Sequence, residues 1–197
     1  MKQHFFVLAA LCFAACSKEP VLPANIPTDN PALPANSFTT FNIAKGNHYC
    51  DKTAVHVFSD SSMSVKVRFD SSCIYKTIDP GNQDDINKLV GFTEGNNNHL
   101  HSARFGWRWS DNALRLFAYS YAAGVRSSKE IATLAIGQEA KLRISLLPTE
   151  YVFAVDDTVV TLPRALRSGI ANGYWQYPYF GGDEVAPHEI IIEIEEI

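Results

Sequence analysis

Apolar and polar residues alternate in short runs from Phe38 onward. Val65-Lys66-Val67-Arg68-Phe69, Leu142-Arg143-Ile144-Ser145-Leu146 and Ile190-Ile191-Ile192-Glu193-Ile194 are among the clearest. Ala54 to Ser59, Ser102 to Trp109, Ala113 to Tyr121 and Tyr151 to Val155 continue the pattern. A period of two sends one face of each run to a core and the other to solvent. Turn formers separate the runs, as at Asp79-Pro80-Gly81-Asn82, Gly95-Asn96-Asn97-Asn98 and Gly181-Gly182-Asp183. About a dozen short strands at this spacing predict an all-β antiparallel sandwich or barrel. Helix is confined to a turn near Asp84–Leu89 or Pro163–Ser168.

Two runs carry the best functional clue. Residues 102–110 and 113–121 meet at Asp111-Asn112, and turn length decides which side chains share a face. A three-residue turn mixes Arg115 with Trp107 and Phe105. A two-residue turn gives one face of Ala103, Phe105, Trp107, Trp109, Leu114, Leu116 and Ala118, which suits a core. The other face then carries Arg104 beside Tyr119, Gly106 beside Phe117, Arg108 beside Arg115, and Tyr121 near Ser102. Only this register separates apolar from polar, so it is the one predicted. Arg108 opposite Arg115 is a like-charge pair that destabilises unless compensated. Guanidinium forks bind carboxylate or sulfate bidentately, and aromatic rings offer flat platforms to sugar C–H faces. Arg104, Arg108, Arg115, Phe117, Tyr119 and Tyr121 are therefore the candidate ligand-binding residues. The plainer alternative is surface stacking of Arg on aromatic rings, with the charges paired by neighbouring carboxylates.

The N-terminus changes the picture of location. Lys2 precedes an apolar run from Phe5 to Phe13 that is too short to span a bilayer, and Ala14 and Ala15 lead into Cys16. That order is a signal peptide, and small residues running into Cys resemble the lipobox of bacterial lipoproteins. The resemblance implies cleavage after residue 15, acylation of Cys16 and a lipid anchor in the bacterial cell envelope, on its periplasmic side or at the cell surface. An ordinary cleaved signal with an incidental Cys is the alternative. Residues 17–36 hold five prolines and little periodicity, which reads as a semi-extended tether. The expected organisation is thus 1–15 signal peptide, 16–36 lipidated Cys and tether, and 37–197 β-sandwich.

Charge excludes one class of partner. The chain has 17 Lys+Arg against 21 Asp+Glu, a net charge of −4, and nucleic acid calls for a basic face. No second apolar run is long enough for a membrane span. Beyond Cys12 and Cys16 two cysteines remain, Cys50 and Cys73. In an oxidising compartment an isolated pair is expected to form a disulfide, stabilising by roughly 3 kcal/mol; a two-Cys metal site lacks the further ligands such sites need.

The stretch from Tyr151 to Val160, YVFAVDDTVV, resembles the hairpin of laminin G-like and concanavalin A-like sandwiches, where a strand ends in an acidic turn. Pro187 to Ile194 matches the style of their closing strand. DINKLVGF (85–92), HSARFGWRW (101–109) and YPYFGGDEVAPH (177–188) also resemble segments of uncharacterised bacterial lipoproteins with this sandwich. The resemblance implies a concanavalin A-like jelly roll and a saccharide site on the concave face, to which the Arg/aromatic face is assigned. It is nearly silent on function, because the fold carries lectins, glycosidases, lyases and adhesion modules.

Three functions follow as expectations. The first is a non-catalytic carbohydrate-binding module for oligo- or polysaccharide, preferring acidic glycans. The second is a polysaccharide lyase on the same face, with Tyr119, Tyr121 or His101 as base. The third is a structural or adhesion lipoprotein that binds a protein partner. Laminarinase-like sandwiches place paired carboxylates as E-x-D-x-x-E, and that motif does not occur here. No cofactor is expected, but calcium is the cation that loops such as 79–87 hold in sandwiches of this type, with Asp84, Asp85 and Asn87 as donors. A solvated turn explains the same residues. His99 and His101 precede the first hairpin strand, and His101 falls on the parity that caps a rim. Trp175, Tyr177 and Tyr179 share one face and either extend an aromatic platform or pack.

Overall fold

The computed structural model describes residues 38–197; the expected signal peptide, lipidated Cys16 and tether lie outside them. Two six-stranded antiparallel sheets face each other. The first runs, in spatial order, β1 (Thr39–Ile43), β12 (Ile190–Glu196), β3 (Ser62–Phe69), β8 (Glu139–Leu146), β9 (Glu150–Val155) and β10 (Thr158–Pro163). The second runs β2 (Val57–Asp60), β11 (Ala171–Gln176), β4 (Asn87–Thr93), β5 (His101–Ser110), β6 (Ala113–Ala122) and β7 (Val125–Leu134). This is the jelly-roll sandwich of concanavalin A-like type. The expected helical turn sits earlier than predicted, as a 3-10 turn over Pro80–Asp84, and residues from Asn87 are strand. The strand expected from Ala54 begins only at Val57. Among the described residues no helix is long and apolar enough to cross a membrane.

The core is the alternation made solid. Val65, Val67 and Phe69 of β3, Leu142 and Ile144 of β8, and Phe153 of β9 are buried against Phe92, Phe105, Trp107 and Leu116 of the second sheet. Phe105 meets Phe153 edge to face at 5.3 Å across the sandwich. Burying such side chains stabilises by about 1.5–3 kcal/mol each.

The β5–β6 hairpin has the predicted register. Ser110 pairs with Ala113, Arg108 with Arg115, Gly106 with Phe117 and Arg104 with Tyr119. Asp111 and Asn112 both adopt left-handed φ, +52° and +57°, as the two-residue turn matching strand twist requires. The β9–β10 hairpin also forms, turning at Asp156, where φ is +48°.

The disulfide expectation is corrected. Cys50 and Cys73 are both buried free thiols. Their sulfurs have separate partners: Cys50 Sγ donates to the Lys52 carbonyl at 3.2 Å and Cys73 Sγ to the Ile191 carbonyl at 3.4 Å. Burial raises the pKa of each thiol.

A buried ion pair joins the sheets. Glu94, just past β4, accepts two hydrogen bonds from Arg164, beyond β10, at 2.8 and 2.7 Å. Tyr151 of β9 donates to the same carboxylate at 2.6 Å. The remaining Arg164 donors reach the carbonyls of Leu147 and Ser168 and the Ser168 hydroxyl, so every charge is met, as a buried pair requires.

Candidate functional site

The outer face of the second sheet holds a cleft of about 780 Å³. Its floor comes from β4, β5 and β6 through Lys88, Arg104 and Tyr119, and its wall from the segments 49–56 and 174–182. A bulge in β4 shapes the floor: Lys88 pairs with Gly106, and the register then shifts before Gly91 meets Arg104. Bulges of this sort re-aim side chains, and this one keeps Lys88 on the outer face while Leu89 fills the core. Gly91 is needed under Arg104, because a Cβ there would come within 2.1 Å of the Ala103 carbonyl oxygen and 2.5 Å of the Arg104 Cα. Gly182, at φ +96°, packs so tightly on Asp85 that a Cβ would fall 1.8 Å from its carboxylate.

Arg104 is the central residue. It is only 6% exposed, and its Nε and Nη2 have no hydrogen-bond partner among the described residues. No carboxylate among the described residues pairs with it; its guanidinium lies 5.3 Å from the Tyr119 ring centroid. Lys88 Nζ lies 4.6 Å from the same centroid and donates to the Ile86 carbonyl. Burial pushes the Lys88 ammonium down to about 8, with Arg104 and Arg126 adding repulsion against the pull of Asp85. Burial likewise lowers the pKa of Arg104, which still stays charged. Tyr119 is pushed up to about 12, first by burial and then by its neighbour Tyr121. Among the described residues no Asp or Glu lines this cleft.

The other predicted ligand residues separate from this pair. Arg108 donates to the Asp84 carbonyl at 2.6 Å and to Ser110 Oγ at 3.1 Å, and its Nη2 lies 3.4 Å from the Asp84 carboxylate. Arg115 pairs with Glu130 at 2.9 Å and Asp111 at 3.0 Å. The like-charge pair is thus compensated, and neither arginine lines the cleft. Phe117 is buried under Arg108 at 4.9 Å. Gly106 opens no hollow, since Ile86 lies over it: a Cβ there would be 2.4 Å from Ile86 Cγ2. Tyr121 stands at the margin, edge-on to Tyr119 at 5.8 Å and tilted against His99 at 5.1 Å. His99 lines the cleft, whereas His101 Nδ1 accepts the Ala123 amide, capping the rim.

The calcium donors do not assemble. The Asn87 amide donates to Tyr75 Oη and accepts from the Gly181 amide, while Asp84 faces Arg108 and Asp85 accepts from the Asp183 amide. Among the described residues no group of three or more His, Cys, Asp or Glu is placed to hold a metal.

Sequence reasoning missed Lys88, whose only signal is a lone cation between Asn87 and the apolar run that starts at Leu89. It also left open whether Trp175, Tyr177 and Tyr179 pack or present. They do both. Trp175 stacks on His56 at 5.2 Å and Tyr179 on His48 at 5.2 Å, while Tyr177 packs on Phe41, and all three line the cleft.

No protein-family model matches the chain, and no curated protein matches it in sequence. Solved structures do share the fold. The chain is similar to the alginate lyase AlyC3, with a TM-score of 0.54 and 9% identity over 81% of this chain and 74% of that one. It is also similar to LamAcat from Zobellia galactanivorans, with a TM-score of 0.51 and 10% identity over 81% and 76%. A glycosidic hydrolase gives a TM-score of 0.50 and 13% identity over 82% and 77%. At these identities the likeness is one of fold.

Proposed function

We propose that this protein is a non-catalytic, acidic-glycan-binding lipoprotein of the cell envelope, anchored through Cys16. One observation carries the ligand class: a chain of net charge −4 buries an unpaired arginine beside a lysine in a cleft whose described lining lacks carboxylates. A buried guanidinium without a partner is costly, and a bidentate carboxylate or sulfate is what its fork fits. The aromatic wall of Trp175, Tyr177 and Tyr179 supplies stacking surface for sugar rings. The fold it shares with a glycosidic hydrolase and an alginate lyase is in keeping with a saccharide ligand. Without paired carboxylates in the cleft, hydrolysis by the two-carboxylate route has no acid and base there.

Affinity electrophoresis through gels containing neutral or uronic-acid polysaccharides tests this, with absorbance of unsaturated products read alongside. The expected result is retardation by polyuronate alone, without absorbance, abolished by Arg104→Ala and kept in Arg115→Ala. Rising absorbance would make the protein a lyase. Absence of both would favour a protein partner.

A further inference from the structure

We propose that anion binding in this cleft is coupled to the uptake of a proton by Lys88, so that the site holds its ligand at neutral pH and releases it in alkali. The inference rests on the acidic-glycan reading of the same cleft and adds a rule for when the site is occupied.

Lys88 and Arg104 line the same cleft and both lie near the Tyr119 ring, at 4.6 and 5.3 Å from its centroid, so one anion in the cleft can meet both cations. Neither cation has a carboxylate hydrogen-bonded to it in the described structure; the only acceptor on Lys88 is the Ile86 carbonyl. The charged groups that face Lys88 are Arg104 from β5, Arg126 from β7 and Asp85 from the loop before β4, and the titratable but neutral Tyr119 faces it from β6. Asp84 joins them across a smaller hollow of about 210 Å³, and there it is engaged by Arg108. On the remaining side the 179–182 segment brings Gly181 up to Nζ, since a Cβ there would lie 3.2 Å from it and 3.4 Å from the Tyr179 ring, and Lys88 and Tyr179 exchange main-chain hydrogen bonds.

A buried arginine and a half-buried lysine side by side repel, and a lysine can relieve this by losing its proton where an arginine cannot. Burial and that repulsion bring the Lys88 ammonium to about 8. An opposite charge within about 4–6 Å raises a lysine's pKa by about 1–3 units, so the anion restores the proton. Affinity is therefore flat while Lys88 is already charged, falls as pH rises through the free amine's pKa, and levels off above the bound one. Arg104 stays charged throughout, and Tyr119, pushed up to about 12, stays neutral over this range.

The test is calorimetric titration of the protein with a uronic-acid oligosaccharide from about pH 6.5 to about pH 9.5. It is run in two buffers of different ionisation enthalpy. The expected result is a fall in affinity of roughly tenfold or more between about pH 7 and about pH 9.5, with net proton uptake near pH 8.5. Lys88→Arg, which cannot lose its charge, should show neither, whatever its affinity at pH 7. Lys88→Met should bind more weakly with a flat profile. Binding with no proton uptake, or a Lys88→Arg profile that still falls, overturns the coupling and leaves the acidic-glycan reading standing. Absence of binding at every pH overturns that reading itself.

Discussion

Lys88 has an effect even without ligand. Its folded pKa of about 8 lies below the ordinary lysine value of 10.5 because burial disfavours the ammonium. Between about pH 8 and about pH 10 the unfolded chain therefore holds a proton that the folded chain has lost, and stability rises with pH. Above that window Tyr119 opposes it: its folded pKa is raised to about 12, so stability falls as the unfolded tyrosine ionises. Denaturant titrations from about pH 7 to about pH 10 should show Lys88→Met losing a rise on the order of 2 kcal/mol relative to the parent. Parallel profiles would mean that Lys88 is solvated. Arg108 and Arg115 show the contrast within the same face. Sequence offers three arginines of equal promise; what distinguishes them is whether Asp84, Asp111 or Glu130 reaches them, and such partners are legible only once the strands are placed.

At the scale of the element, the β5–β6 hairpin is legible from sequence alone because a one-residue slip inverts every side chain. The buried set Ala103, Phe105, Trp107, Leu114, Leu116 and Ala118 tolerates a single register. The β4 bulge is not legible, since NKLVGF alternates imperfectly whether or not a bulge is present. That bulge is what delivers Lys88 to the cleft, so the site's second cation escapes a reading based on period. Gly91 is the element's other requirement. Gly91→Ala pushes a methyl against the Ala103 carbonyl and the Arg104 backbone and should lower stability by about 1–3 kcal/mol while weakening anion binding. A variant with unchanged stability would show that β4 and β5 can separate there at little cost.

At the scale of the whole molecule, the fold class follows from alternation and turn spacing, and the structure bears it out as two six-stranded sheets. What spacing does not reveal is how the layers are pinned. Glu94 and Arg164 are 70 residues apart in sequence and look like ordinary surface charges until the sandwich closes over them, at 2% and 0% side-chain exposure. Removing one partner leaves the other charge buried alone, so Arg164→Met should cost about 3–5 kcal/mol in chemical denaturation. A loss under about 1 kcal/mol would indicate that water enters the pair. The cleft lies on the opposite side of the second sheet from this core, and Trp175 and Tyr177 of its wall also pack against the core's edge.

The most direct measurement is the affinity of the protein for a uronic-acid oligosaccharide set against the same oligosaccharide with its carboxyl groups reduced to alcohols. If Arg104 is the anion anchor, the acid form binds at least about tenfold tighter, as expected for a charge-assisted bidentate contact, and Arg104→Met removes the difference. Equal affinity for the two forms, or a preference that survives Arg104→Met, would contradict the assignment of this cleft to acidic glycans.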